Sequence, residues 1–291
     1  MVVTNRVIRY AFHKNHTPDS IVVHGERELP EGTMHDGKIA DPKAFENTVQ
    51  QLVQEHRWKR KDLAFCLVDD TVVIRDLDVP ATLSKEEAVG YVRTQIGNSF
   101  YLPFNDPALA IDLLDSEEGT TKVRVYAYPK DKINTYKKAF SDAGLQPVIA
   151  DLTSLSVYRY FYQTAENPAE HVLLIHWNRD ALMLTAFKHH KAVFSRYMKI
   201  AADEEMTAEQ ADQIINEYII EINRITDFYQ YSITKGVHRV EQLVVSGDFS
   251  FLPVVKQKLA ERLTLPIHDF PETELSDAYI DVIGLGLKNG S

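Results

Sequence analysis

One cysteine, Cys66, stands in the 291 residues, so neither an internal disulfide nor a zinc site built on several cysteines can form, and a reducing compartment is expected. Long apolar runs are missing as well. None approaches the 18 residues of a membrane-spanning helix. The apolar stretch Met1 to Tyr10 is interrupted by Arg6 and Arg9, which argues against a secretory signal. Basic charge is in short supply: 32 Lys and Arg face 42 Asp and Glu, a formal net charge of -10, so a nucleic-acid backbone is not an expected partner. With no lipidation motif or polybasic cluster, any attachment to a membrane is expected to be indirect.

Glycine is scarce, and its placement excludes more than its number. The 12 glycines fall well short of the usual share of about 7%. None precedes Gly25, and only Gly236 lies between Gly144 and Gly247. Loops that wrap phosphates need close backbone approach or positive φ, which glycine supplies. Neither G-x-x-x-x-G-K-[ST] nor a strand-linked G-x-G-x-x-G occurs. Gly284-Leu285-Gly286 lacks that strand–turn–helix setting and is expected to serve helix packing. H-E-x-x-H and G-x-S-x-G are absent too. His189-His190 is the one adjacent histidine pair; strand neighbours point to opposite faces, so turn histidines are expected there and no metal. Cys66, inside the run LAFCLV, is expected to be a core thiol.

What is present alternates strands with helices, the pattern of α/β layers. Residues 2–12 and 20–24 read as strands. Asp41-Pro42 opens a helix with Asp as N-cap and Pro at the first helical position. Leu63 to Val68 is a buried strand. Capping boxes at Ser84–Glu87 and Thr207–Gln210 open helices to about 98 and 231. Strands at 108–114 and 122–128 flank a turn, and a helix over 131–143 closes on Gly144. Residues 75–150 thus read β-α-β-β-α-β. Further strands are predicted at 172–175, 181–187, 192–197, 243–246 and 265–268, with helices at 252–263 and 279–287. The 208–231 helix, with Ala211, Ile215, Ile222 and Ile225 on one stripe, is expected to be a core helix, and Asp203-Glu204-Glu205 to solvate the turn before it.

An ordered series of segments then suggests a family. "LPEGTMHDGKIADPKAFENTVQQLV" (29–53), "VVIRDLDVPATLSKEEAVGYVRTQIGNSFYLPF" (72–104), "AFSDAGLQPVIADLTSLSVYRYF" (139–161), "EINRITDFYQYS" (221–232), "VVSGDFSFLPVVKQKLAERLTLPI" (244–267) and "YIDVIGLGLK" (279–288) occur in this order over nearly the full length. They resemble the type IV pilus assembly protein PilM family, actin-like proteins related to the cell-division protein FtsA. The resemblance implies a two-lobed, ribonuclease H-like α/β fold. Subdomain 1A would take residues 1–74 and 151–168, an inserted subdomain 1C residues 75–150, and the second lobe, with a reduced 2B region, residues 169–291.

The departures from the family pattern bear on function. The first phosphate loop, an acidic residue followed by Ile-Gly in the family, is Val2-Val3-Thr4 here; the second is His176-Trp177-Asn178; the adenosine segment is Ser246-Gly247-Asp248. The carboxylates that would organise magnesium and water are gone at 2 and 176, and Trp177 is expected to crowd the phosphate position. These losses imply no bound cofactor and no ATP hydrolysis, hence a pseudo-ATPase scaffold and not an enzyme. The competing expectation, an active ATPase using ATP with magnesium, would draw on Asp151 or Asp248. By resemblance the partner is the N-terminal cytoplasmic tail of a PilN-like bitopic membrane protein, which would hold the chain at the inner face of the plasma membrane. Arg9, Ile74, Arg75, Tyr91 and Arg93 are expected on the walls of the groove that takes the tail.

Overall fold

The structure, a computed structural model, describes residues 1–200, 206–270 and 276–288. Asp203-Glu204-Glu205 and part of the reduced 2B region lie outside the described residues. The chain runs β1 (Val2–Val3), β2 (Val7–His13), β3 (Ile21–Glu28), a short hairpin β4 (Met34–His35) and β5 (Lys38–Ile39), α1 (Pro42–Glu55), β6 (Asp62–Leu67), β7 (Val73–Pro80), α2 (Lys85–Gln95), β8 (Pro107–Glu117), β9 (Thr120–Pro129), α3 (Lys130–Asp142), β10 (Gln146–Leu152) and α4 (Thr153–Thr164). It continues through β11 (His171–Trp177), β12 (Ala181–Lys188), β13 (Lys191–Lys199), α5 (Ala208–Phe228), β14 (Gln242–Ser246), α6 (Leu252–Leu263), β15 (Ile267–His268) and α7 (Ile280–Gly286).

Two sheets repeat one topology. The first has the order β10-β6-β1-β2-β3 and the second β15-β14-β11-β12-β13. In each, three antiparallel strands are followed by two that add in parallel on the other side. This is the ribonuclease H-like, two-lobed arrangement expected. It places the β1–β2 turn opposite the β11–β12 turn, and the end of β6 opposite the end of β14.

Local chemistry sets the elements. Asp41 accepts from the Lys43 and Ala44 N–H groups, each at 3.0 Å, and Pro42 occupies the first helical position of α1. Both capping boxes form, Ser84 with Glu87 and Thr207 with Gln210. Strand β11 is buried throughout because both of its faces are covered. Leu173, Ile175 and Trp177 pack with the α5 stripe Ala211, Ile215, Ile219 and Ile222, while Val172 and Leu174 pack against α4 and α7. The core role expected for the long helix is what the packing gives.

The inserted unit is smaller than the sequence pattern indicates. The β-α-β-β-α-β order is present, but only β7, β8 and β9 form the separate three-stranded sheet, with α2 packed on it. Strand β10 joins β6 in the first lobe, and α3 packs its Tyr136 and Phe140 with Phe45 of α1. An apolar strand and an amphipathic helix look alike in sequence whichever sheet they serve, so the end of the insertion at 150 moves back to about Pro129.

The lobes join where α4 crosses α7, and glycine permits the crossing. A Cβ on Gly284 would meet the Ser156 carbonyl oxygen at 2.0 Å, and one on Gly286 would meet the His13 ring at 2.3 Å. The Gly284-Leu285-Gly286 segment therefore serves helix packing, as expected. Gly284→Ala forces the helices apart and should lower stability by about 1–3 kcal/mol. Gly90→Ala, on the exposed face of α2 with open space around it, should raise stability by about 0.5–1 kcal/mol. Urea unfolding of both variants checks the pair.

Candidate functional site

The turns between the lobes occupy the positions where phosphate-binding loops would lie, and their donors are engaged from within. In the first turn, Thr4 Oγ1 accepts from the Arg6 N–H at 3.2 Å and the Val7 N–H at 3.0 Å. In the second, the Asn178 N–H donates to the Ala181 carbonyl, and the Arg179 N–H donates to Asp248 Oδ1 at 2.9 Å. The Asn178 side chain accepts from the Asp248 N–H at 3.2 Å. The space left between the turns, lined by Val2, Thr4, Asp69, His176, Asn178 and Asp180 among others, is only about 30 Å³. Small-molecule sites ordinarily offer about 300–1,000 Å³.

A carboxylate holds both lobes here. Asp248, from the segment after β14, accepts from Arg6 Nη2 at 2.7 Å and from Arg9 Nη2 at 2.5 Å, both in the first lobe. Arg9 also donates Nη1 to Asp281 of α7 at 2.8 Å and lies 3.4 Å from Glu26. The Arg9 side chain is wholly buried. Burial opposes its charge, but Asp281 and Asp248 outweigh burial and raise its pKa. Asp248 is pulled up by burial and down by Arg9, the Arg179 N–H and Arg6, and ends below its ordinary value. Breaking one partner out of a buried set such as this costs about 3–5 kcal/mol.

His176 completes the set as a neutral group. It is buried, pairs through Nδ1 with Ser246 Oγ at 2.9 Å, and has its Nε2 3.9 Å from Asp281. Burial lowers its pKa to about 4, with Asp281 opposing and Arg9 assisting. Trp177, its neighbour, points the other way. Its indole stacks on Phe249 at 5.2 Å inside the second lobe and does not crowd the turn, because adjacent strand residues face opposite sides. Its main chain exerts the constraint instead. Gly247, at φ +125, lies so close that a Cβ would sit 2.0 Å from the Trp177 carbonyl oxygen.

Asp69 lies two residues past the end of β6, at the same cleft. Helix α4 has no cap of its own, and Asp69 supplies it, accepting from the Thr153 N–H at 2.8 Å, the Ser154 N–H at 3.2 Å and the Ser154 hydroxyl. Burial pushes its carboxyl up to about 7 against those hydrogen bonds. The other carboxylate considered from sequence, Asp151, faces elsewhere and is held by Arg159 at 2.7 Å and Lys288 at 2.9 Å. Beyond Asp248 an open cavity of about 640 Å³ has mixed charge along its wall, with Lys256 paired to Asp277 at 2.7 Å.

A larger groove, about 760 Å³, runs between the inserted sheet and both lobes. Two sheet edges that pair with no strand among the described residues line it, β8 through Ala108–Asp112 and β10 through Ala150–Leu152. Val72, Tyr126, Leu155 and Phe187 give it an apolar floor; along its rim Lys85, Arg159, Lys191 and Lys288 outnumber Asp112 and Asp151, with Arg159 and Lys288 both paired to Asp151. None of the five expected groove residues lines it. Arg9 is a correction, since full burial in the ion cluster removes it from any open wall. Ile74 is buried beneath the inserted sheet with Tyr126 and Val157. Arg75 donates to the Ile74 carbonyl on the far edge strand. Tyr91 and Arg93 ride on α2, Arg93 reaching the Pro107 carbonyl at 3.4 Å. The sequence signal missed was a lone charge in an apolar segment, Arg9 in VIRYAF and Asp281 in YIDVIGL.

A family model described as type IV pilus assembly protein PilM matches residues 9–213. No curated protein matches the chain. Among solved structures, the "PilM-PilN type IV pilus biogenesis complex" superposes with a TM-score of 0.78 at 17% identity, covering 99% of this chain and 98% of that one. A Bacteroides thetaiotaomicron protein with an "actin-like ATPase fold and unknown function" gives 0.53 at 11% identity, covering 99% and 94%. The ethanolamine utilization protein EutJ from Carboxydothermus hydrogenoformans gives 0.54 at 9%, covering 98% and 87%. The fold is actin-like. Among the described residues no helix is long and apolar enough to cross a membrane.

The neutral, buried His176 makes a pH prediction. Its unfolded-state pKa near 6.5 exceeds its folded value of about 4, so the native state binds fewer protons and the stability contribution is lost as pH falls from 6.5 to 4. The full loss is on the order of 3 kcal/mol. Asp69 acts oppositely in this window, so the readout is a difference. His176→Gln keeps an amide against Ser246 and does not titrate. The stability of the wild type minus that of the variant should be flat above pH 7 and fall steadily toward pH 4 in urea titrations.

Proposed function

We propose a function from one premise: the chain belongs to the type IV pilus assembly protein PilM family. Its role lies in type IV pilus assembly. Within that role we read it as a scaffold that holds a membrane partner, without ATP hydrolysis.

One observation carries the reading. Asp248 takes, with one carboxylate, the Arg179 N–H of one turn and the Arg6 and Arg9 guanidinium groups of the opposite lobe. These are the kinds of donor a phosphate would need, and Thr4 occupies the N–H groups of the other turn. A nucleotide triphosphate with magnesium does not fit the residues present. Val2 and His176 offer no carboxylate, and His176 is neutral and already bonded to Ser246. Asp248 is neutralised by two arginines, and Asp151 lies in the groove with its own cations, so neither supports the ATPase alternative.

The groove suits the partner. The solved relative is a PilM–PilN complex, and we assign to this chain a PilN-like partner whose N-terminal cytoplasmic tail lies extended along β8 or β10. An unpaired edge offers main-chain hydrogen bonds, the apolar floor takes alternate side chains, and the rim favours acidic groups on the tail. Such a partner would keep the chain at the cytoplasmic face of the membrane indirectly.

Two measurements test this. Mg-ATP at millimolar concentration should leave the melting temperature unchanged, whereas micromolar binding would shift it and overturn the scaffold reading. The second uses a fluorescent peptide matching the tail of the PilN-like protein from the same genome. Leu155→Glu, which charges the groove floor, and Ala110→Arg, on the exposed β8 edge, should each weaken it at least tenfold, about 1.4 kcal/mol. Arg75→Ala and Arg93→Ala should leave it within twofold. Unchanged affinity in the first pair would rule the groove out.

A further inference from the structure

The end of the second lobe farthest from the cleft gathers imidazoles. We propose that His171, His189 and Glu170 form a site for a divalent transition-metal ion, zinc above all. One ligating atom from each lies within 4.8 Å of the others. The juxtaposition is a product of register. His171 opens β11 opposite Lys188, the last residue of β12, so the residue after Lys188 folds back over the start of β11. The His189 N–H donates to the Glu170 carbonyl at 2.8 Å, and its Nδ1 lies 2.8 Å from Glu170 Oε2.

The groups behind His171 hold its ring in place. The Tyr229 hydroxyl lies 2.5 Å from His171 Nδ1 and 3.3 Å from the Phe187 carbonyl; in the tautomer with the proton on Nδ1 it accepts from His171 and donates to Phe187. Nε2 of His171 keeps its lone pair. A ligand imidazole oriented by a hydrogen bond on its other nitrogen is the usual arrangement around bound zinc. His171 is buried, with only 2% of its surface exposed. His238 stacks on it at 4.3 Å between ring centres and covers its flank.

The turn itself supplies a second line of evidence. His189 and His190 both adopt positive φ, 48° and 64°, in the two-residue link between β12 and β13, where Asn-Gly is the usual choice. Histidine is among the residues that tolerate this region, and the two side chains leave the turn in divergent directions. His190 goes to the Tyr158 hydroxyl at 3.0 Å on the groove side, and His189 goes to Glu170. The pair does not chelate as neighbours; each works with a residue distant in sequence. Two imidazoles and one carboxylate are a zinc donor set with a fourth position left to water.

Zinc titration of the full-length protein against a chromophoric chelator tests the site, with Co²⁺ absorption reporting tetrahedral coordination. One ion per chain at micromolar affinity is expected. His171→Ala removes a buried ring and can unfold the chain, so the exposed His189→Ala and Glu170→Gln carry the test. Each should weaken binding by about tenfold or more, while His35→Ala, an exposed histidine elsewhere, should not. An absence of stoichiometric binding, or affinity unaltered in His189→Ala, would overturn the assignment. The readout requires neither the pilus tail nor nucleotide.

Discussion

A guanidinium sealed from water must be surrounded by anions, and Arg9 imposes that requirement at the point where both lobes meet. Asp281 meets it from the last helix, Asp248 from the second lobe, and Glu26 from the neighbouring strand. The rest of the cleft follows. Asp248 can reach Arg9 only because Gly247 brings the backbone against the Trp177 carbonyl, and that same reach delivers its second oxygen to the Arg179 N–H. His176 stays neutral chiefly because burial disfavours its charged form, with the nearby Arg9 adding to that effect and Asp281 opposing it. Asp281 is fixed through α7, whose crossing with α4 depends on the missing side chain of Gly284. Charge, backbone conformation and helix packing thus converge on one joint.

The two lobes share a strand order but put their equivalent ends to different uses. After β6 the carboxylate of Asp69 turns inward to cap α4; after β14 the carboxylate of Asp248 turns across to the first lobe. One organises a helix within a lobe, the other fastens the lobes together. The inserted sheet stands beside this joint and leaves β8 uncovered, so the rigid part of the molecule and the surface open to a partner are adjacent and distinct. The β12–β13 turn borders both the groove, through His190 and Lys191, and the imidazole cluster, through His189.

Much of this was legible in the sequence. Caps at Asp41, Ser84 and Thr207 fix helix starts through local hydrogen bonds, so short patterns suffice to find them. The layered fold follows from strand and helix periodicity, and the family from segment order. The limits are equally physical. Strand β10 has the same alternation whether it pairs with β6 or closes a separate sheet, so the insertion boundary is not encoded locally. The side on which Trp177 falls depends on strand register. His171 and His189 come together through a hairpin pairing that spacing alone does not reveal. The residues expected on β7 and α2 come from the wall segments that the resemblance implies, while the 760 Å³ cavity is lined by β8, the opposite edge of that sheet, a position that no local pattern marks. The lone charges Arg9 and Asp281 were visible, but not their pairing.

That pairing has a consequence for how the molecule is made. Arg9 is separated from Asp248 by 239 residues and from Asp281 by 272. During synthesis Arg9 emerges with only the partly exposed Glu26 of the neighbouring strand as an anion beside it, and Asp248 and Asp281 follow far later in the chain. Burying Arg9 before they arrive leaves much of its charge uncompensated in a dry interior. The ion cluster thereby ties the closing of the central joint to the arrival of Asp248 and Asp281, long after the strands of the first sheet around Arg9 have been made.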